Sequence, residues 1–424
     1  MTEYNKALSI LKKASRSGSR LGLDRIKELL SLAGDPQDSL RAVHISGTNG
    51  KGSFSAMLSS VLTAAGYKTG TFMSPAMVSP LDQIRIDGET VSEELFADAI
   101  LRLDDLSSAM DDKPTEFELM TAAAFLIMKE QCCAMSVIEC GLGGDGDSTN
   151  VINEPLLSVI TNVSLDHCTI LGRTTADIAR HKSGIIKPGV PVYYGGRDTA
   201  ALEVIRQTAE RKGSELYIPD RADISFSDDV PETSLVWQGT EITVPLRGVH
   251  QRDNVVNVLS CVEILRGRGV EISNEAVRKG LSLVRLEGRF ETLCADPYII
   301  FDGAHNPDGM DCLCRSIAGQ FGDVKPVILI GVLADKDYSL YAEMLSPLAE
   351  RIFTVAPDNP RALDPATLAE TFSAHGLPAE PFDTIAEGFD AAAGYAGENS
   401  LPLMVIGSLY LYKDIKSIVQ SRFG

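Results

Sequence analysis

The run "HISGTNGKGS", His44 to Ser53, stands between the apolar "RAV" and the helix-like "FSAMLSSVLTAAG". It reads as a strand ending at Ile45 or Ser46, a glycine-rich turn and a helix starting near Ser53. Parallel sheets with helices on their faces are built from such units. Gly47, Gly50 and Gly52 carry no side chain, so the backbone can adopt positive φ and wrap closely round an anion. Backbone N–H groups and the positive end of the helix then converge on one point. Lys51 adds a point charge for terminal phosphates and Ser53 a hydroxyl suited to magnesium, while Thr48 and Asn49 lie within the same turn. The stretch predicts a cradle for a nucleoside triphosphate. Its spelling is not G-x-x-x-x-G-K-[ST], which needs glycine at position 45 and Ser or Thr at position 52, where the chain has Ile45 and Gly52. Spacing alone leaves a glycine turn with an exposed lysine as the alternative.

The surrounding pattern agrees with an α/β fold. "AVHISG", "MSVIECG", "LLSVITNV" and "PVYYGG" read as buried strands, and "SFSAMLSSVLTAAG" and "TAAAFLIMKEQ" as helices. The more polar "ELYIPDRADISFSDDVPETSLVWQGTEITVPL" breaks this order and predicts an antiparallel edge or side sheet. After "RLEGRFETLCADP" the alternation restarts with "YIIFDGAH", "KPVILIGVL", "RIFTVAP" and "LPLMVIGS". With 424 residues the chain is long enough for two cores. The expectation is a P-loop-type, mostly parallel sheet with flanking helices and a small antiparallel side sheet over residues 1–295. A C-terminal Rossmann-like α/β domain is expected over 296–424, with the boundary near Asp296.

Composition excludes several classes. A formal net charge of −19 repels a phosphate backbone, which disfavours a nucleic-acid partner. No stretch reads as membrane-spanning, and "MTEYNKALSILKKASRSG" lacks a signal-peptide core, so a cytoplasmic location is expected. The cysteines include Cys132-Cys133 and Cys312-x-Cys314 but no paired C-x-x-C sets, which predicts reduced, mostly buried thiols rather than a zinc site.

Other residues stand where ligands gather. Glu139 closes the strand-like "MSVIE" before a glycine-rich turn, and Asp166-His167 ends "VITNVSL". On pattern alone Glu139 reads equally as a cap, His167 as structural and Lys182 of "RHKSG" as a solvated lysine. Arg289 of "EGRFE" could span phosphates or form a salt bridge, and Asp302 of "YIIFD" could accept from ribose hydroxyls or cap a turn.

G-T-N-G-K-G-S resembles the ATP loop of the Mur ligase superfamily, in particular the folylpolyglutamate synthase and dihydrofolate synthase family. The likeness covers nearly the whole chain: "LGLDRIKELLSLAGDPQ", "SPAMVSPLDQIRIDG", "FELMTAAAF", "ECGLGGDGDSTNVI", "SLDHCTILG" and "ARHKSGIIKPGVP" follow in the family's order. "HQRDN", "EGRFE", "FDGAHNP", "GVLADKD" and "GSLYL" complete it. The resemblance implies an ATP-dependent ligase that adds L-glutamate to a folate or dihydropteroate carboxylate. It implies two magnesium ions held by Ser53, Ser74, Glu139 and His167, and a carbamylated Lys182 that assists them. Lys51, His167 and Lys182 become the catalytic set. ATP would be held by Gly47, Thr48, Asn49, Gly50, Lys51, Gly52 and Ser53, with Asn254, Arg289, Asp302 and His305, between the domains. Phe117, Glu118 and Asp147 match the pteroyl side, and "RLGL", Arg20 to Leu23, a substrate loop.

The implied chemistry is consistent with these parts. A carboxylate oxygen is a poor leaving group, so ATP first converts the carboxylate to an acyl phosphate. Lys51, magnesium and the turn amides neutralise charge on the transferred phosphoryl. The α-amino group of glutamate then attacks, releasing phosphate. Departures from the family pattern fall on the loop after Ser74, where S-P-H-L reads Ser74-Pro75-Ala76-Met77 and the usual Glu-Arg reads Asp82-Gln83. Glu287-Gly288-Arg289 replaces Pro-Gly-Arg, and His181 stands where glutamate precedes the lysine. Three outcomes follow: polyglutamylation of reduced folates, joining of glutamate to dihydropteroate, or both. The alternatives are a Mur-type ligase acting on a UDP-linked peptidoglycan precursor and a non-catalytic nucleotide-binding protein. A monomer with small-molecule substrates is expected.

Overall fold

Every residue of β1 (Ala42–Ser46) is buried in the computed structural model, which describes residues 2–16, 18, 20–227 and 232–424. Around it form β2 (Thr69–Phe72), β3 (Ile84–Ile86), β4 (Glu89–Thr90), β5 (Met135–Glu139), β6 (Leu157–Ile160), β7 (Val192–Tyr194) and β8 (Leu216–Tyr217). Their order is β4-β3-β2-β5-β1-β6-β7-β8. β1 lies parallel between β5 and β6, with Val43 opposite Val137 and Leu157. Only β3 and β4 turn back, each antiparallel to its predecessor.

Helices cover both faces, which is why these strands read as continuous apolar runs. On one side Ala7, Leu11, Phe96, Ile100 and Phe125 pack with Phe72 and Ile138, and another cluster joins Ile160 and Tyr194 to Ile178 and Ile205. Local sequence starts these helices. Ser92 caps Glu93–Ser107, and Thr115 with Glu118 forms a capping box at the head of Glu116–Glu130.

The polar segment expected as an antiparallel edge or side sheet forms the side sheet, and its edge strand is parallel instead. Leu216–Tyr217 adds to β7 as a parallel edge strand, while β9 (Ile224–Phe226), β10 (Thr233–Trp237) and β11 (Thr240–Val244) form a small separate sheet, with β10 antiparallel to β9. Residues 228–231 of that segment lie outside the described residues.

The first unit comprises Met1–Phe226, Ser234–Val244 and Arg252–Val284, and the second Ser227–Thr233, Pro245–Gln251 and Arg285–Gly424. The second contains β12 (Glu291–Ala295), β13 (Tyr298–Asp302), β14 (Val327–Ile330), β15 (Arg351–Thr354), β16 (Ala379–Pro381) and β17 (Leu403–Ile406), ordered β12-β13-β17-β14-β15-β16. All neighbours are parallel except β12 with β13. Ile300, Ile328, Ile330, Met404 and Ile406 centre its core. The unit takes up the chain at Arg285, ahead of the expected boundary near Asp296. Asp296 sits in the hairpin that pairs β12 with β13, so this preceding strand belongs to the sheet that follows. Among the described residues no helix is long and apolar enough to cross a membrane.

Candidate active site

The turn after β1 is held from one side and left without a side-chain cap on the other. Gly50 is the N-cap at φ 82°, so the helix Lys51–Ala64 begins two residues before the expected Ser53, and no side chain caps it. A Cβ at Gly50 would stand 2.5 Å from Asn254 Oδ1, which places Asn254 against the turn. The loop after β6 braces the outer side. Thr48 N donates to the Asn162 carbonyl at 3.1 Å, Asn49 N to Asn162 Oδ1 at 2.7 Å, and Thr161 Oγ1 to the Asn49 carbonyl at 2.7 Å. The helix thereby begins at an N-cap that has no side chain of its own to bond the first-turn amides.

Charged groups gather beside this turn. Lys51 Nζ donates to the Gly47 carbonyl at 3.1 Å and to that of Thr48 at 3.4 Å, and stands 3.9 Å from Glu139 Oε1. Glu139 ends β5 opposite Ile45 of β1, is buried, and faces Gly52, whose added Cβ would lie 3.9 Å from Glu139 Oε2. Ser53 is buried in the first turn of the helix. Lys182 ends the helix Thr175–Lys182 and is only 4% exposed. Burial pulls its pKa down to about 7; Lys51 adds to this, and Cys140, Asp166 and Asp147 oppose it. His167 occupies a left-handed conformation, φ 50°, its N–H donating to Asp166 Oδ1 at 2.8 Å. Its ring remains largely accessible. Ser74 lies in the loop after β2, partly buried, ahead of a cis Ser74–Pro75 bond.

The residues expected on the pteroyl side form a wall. Phe117 packs its ring 5.9 Å from that of Phe72 and so close to Gly141 that a Cβ there would meet Phe117 Cζ at 2.6 Å. Glu118 is fully buried and accepts from Thr115 N at 2.7 Å and Arg25 Nε at 3.1 Å. Asp147 is 2% exposed: Oδ1 accepts from Thr149 N at 3.0 Å and Thr149 Oγ1 at 2.5 Å, and Oδ2 from Leu142 N at 2.8 Å. Burial raises its pKa against these hydrogen bonds. The Asp147 carboxylate expected on the pteroyl side thus braces the turn from inside. Behind it His44 Nε2 lies 2.8 Å from Thr149 Oγ1.

In the second unit Asp302 ends β13, where Oδ2 accepts from Phe290 N and Oδ1 from Ala304 N, both at 2.8 Å. Arg289 lies beside the same turn, its Nη1 2.7 Å from where a Gly303 Cβ would be. His305 Nδ1 is 2.8 Å from the Gly303 carbonyl, and Tyr341 donates to the His305 carbonyl at 2.8 Å. The structure thus collects Arg289, Asp302 and His305 at one strand end.

Comparison with known proteins resolves the class. Residues 45–264 match the Mur ligase middle domain and residues 288–408 the Mur ligase glutamate ligase domain. A Bacillus subtilis dihydrofolate synthase/folylpolyglutamate synthase is 35% identical over 98% of this chain and 99% of its own length. The chain belongs to the folylpolyglutamate synthase/dihydrofolate synthase family. A Saccharomyces cerevisiae dihydrofolate synthetase is 32% identical, covering 95% of this chain and 98% of its own. Among solved structures, Mycobacterium tuberculosis folylpolyglutamate synthase complexed with ADP and AMPPCP superposes with a TM-score of 0.89 at 29% identity, over 97% of this chain and 98% of that one. E. coli FolC in complex with DHPP and ADP gives 0.86 at 26%, over 99% and 98%.

The donor set of this family member suits a hard cation that arrives with phosphate. Ser53 and Ser74 offer hydroxyls and Glu139 a buried carboxylate, while no group of three His, Cys, Asp or Glu side chains forms a metal cage among the described residues. Oxygen donors of this kind are compatible with magnesium, which keeps water and phosphate oxygens in its shell. Thr161 and Asn162, which anchor the turn, were not singled out from sequence. Their signal is a polar pair directly after the apolar "LSVI", at the carboxyl end of a parallel strand.

Proposed function

We propose that this ligase of glutamate and folates forms an acyl phosphate on its pteroyl substrate, with the turn Gly47–Ser53 holding the triphosphate. The observation that carries this reading is the uncapped helix end at Gly50, with Lys51 folded over the turn beside Glu139. Lys51 follows the transferred phosphoryl group as charge develops on it, and the amides of the first helical turn meet its oxygens. Ser53, Ser74, Glu139 and His167 would hold magnesium, which would supply further charge neutralisation there. Asn254 lies against the turn at Gly50, and within the second unit Arg289, Asp302 and His305 gather at the end of β13. Phe117 is the wall for the pteroyl end, with the buried Glu118 and Asp147 bracing it from inside.

Lys182 carries the second part of the reading. A carbamate forms only on an unprotonated amine, and a buried lysine with a pKa near 7 supplies that form at neutral pH. The product is an anion beside Lys51 and the phosphate turn, which assists cation binding. The eight cysteines are free thiols, and the reading is of a cytoplasmic monomer.

The test offers ATP, magnesium and labelled glutamate with dihydropteroate in one reaction and tetrahydrofolate in another, with products resolved by mass. A single addition to dihydropteroate alone defines a dihydrofolate synthase, and extended chains on tetrahydrofolate alone a folylpolyglutamate synthase. Products in both define a bifunctional enzyme. No product in either, with ATP still bound, would overturn the folate reading and point to the altered loop at Ala76, Asp82 and Gln83.

A further inference from the structure

A second set of charged residues, outside the phosphate chemistry, ties three segments of the first unit together. Arg25 lies in the first turn of the helix Asp24–Leu32, its side chain only 12% exposed. One edge of its guanidinium meets the buried Glu118, with Nε donating to Oε2 and Nη2 standing by Oε1, each at 3.1 Å. The other edge reaches outward. Nη2 donates to the Arg20 carbonyl at 2.9 Å, and Nη1 lies 3.4 Å from Asp112 Oδ2. Asp112 also accepts from both terminal nitrogens of Arg20, at 2.9 and 3.1 Å.

The backbone held in this way runs on to the wall described above. Gly22 N donates to the Gly146 carbonyl at 3.1 Å, next to Asp147. Leu21 lies over Gly146, whose added Cβ would meet Leu21 Cβ at 3.3 Å, yet Leu21 is 44% exposed. An exposed leucine above a glycine turn is an open apolar face of the kind that covers a flat ring. On the inner side, Glu118 follows Phe117 at the head of its helix. Arg25 therefore sets the spacing between the segment Arg20–Leu23 and the Phe117 and Asp147 wall.

We propose that Arg25 is a positioning residue for the pteroyl end of the substrate, acting through the carbonyl of Arg20 and through Glu118. The proposal rests on the reading of that wall as the pteroyl side. A planar fork is required, because one side chain must meet a carboxylate along one edge and a carbonyl with a second carboxylate along the other. Lysine keeps the charge and loses that span.

The test is a steady-state comparison of wild type, Arg25→Lys, Arg20→Ala and Asp112→Asn, varying the pteroyl substrate, ATP and glutamate in turn, with Tm measured alongside. Arg20 and Asp112 are about half exposed, so their variants keep the Arg25–Glu118 pair and the fold. The expected result is a pteroyl KM raised about tenfold in Arg25→Lys and about threefold in the two outer variants, with KM for ATP within about twofold. An unchanged pteroyl KM in the outer variants and in Arg25→Lys overturns the proposal. So does a rise of every KM together with a fall in Tm, which marks a purely structural pair. A wild type that ligates glutamate to no pteroyl substrate fails at the earlier reading, and that result is distinct because no KM can then be measured.

Discussion

Each unit contains a buried parallel strand, a short turn and a helix, and the two turns end differently. After β1 the N-cap is Gly50, which makes no side-chain cap hydrogen bond, with the cation Lys51 at the first helical position. After β13 the N-cap is Asn306, whose side chain accepts from Gly309 N at 2.8 Å, with Pro307 at the first position and Asp308 next. Proline has no N–H to offer, Asn306 satisfies another, and Asp308 adds negative charge at the positive end. Topology alone gives both helices a positive end. Capping decides which of them has donors left for a phosphate, and that difference supports the proposed triphosphate site at the first turn.

The sharpest way to break the comparison is Lys51→Ala, which removes the cation at the first helical position after the first turn. Turnover is expected to fall about 10²–10³-fold with the fold intact, measured as ATP-dependent product formation. Next comes Lys182→Ala, expected to lower turnover about 10²-fold, with partial return when short carboxylates are added in place of the carbamate. Because the folded amine titrates near pH 7, its modification and the activity it supports should grow as pH rises through that value. Undiminished activity in the variant would remove carbamylation from the account.

The strands sharpen the contrast further, since β1 buries His44 where β13 buries Ile300 and Phe301. Burial lowers the His44 pKa from 6.5 to about 3, with Lys187 adding to the effect. Between those values the unfolded chain binds the extra proton, so stability falls as pH falls from 6.5 towards 3. The expected loss is about 2 kcal/mol by pH 5, read from urea unfolding at pH 7 and 5, with a shallower dependence in His44→Gln. The smallest effect belongs to the capped turn. Asn306→Ala should cost about 1 kcal/mol in stability, seen as a lower Tm.

Local patterns made much of this readable in advance. The glycine turn was legible because its determinants lie within His44 to Ser53, and the parallel sheets because buried strands such as "VILI" and "LMVI" are apolar throughout. The strand β12 was not, since "ETLCA" is half-exposed and has neither alternation nor a continuous apolar run, and the expected boundary fell inside its hairpin. Glu118 and Asp147 were marked as polar residues near a ligand, but burial is a tertiary property, and their partners Arg25 and Thr149 are identified only once the chain is folded. Arg25 and Glu118 are 93 residues apart, beyond any periodicity in the sequence.

The central claim is that the uncapped turn binds the triphosphate and the capped turn does not supply that cradle. Calorimetric titration of ATP with magnesium into wild type, Lys51→Ala and Asn306→Ala tests it directly. The account predicts at least about a hundredfold weaker binding in Lys51→Ala, from losing a charge-assisted contact, and a Kd within a few-fold of wild type in Asn306→Ala. Unchanged binding in Lys51→Ala, or a greater loss in Asn306→Ala, would contradict it.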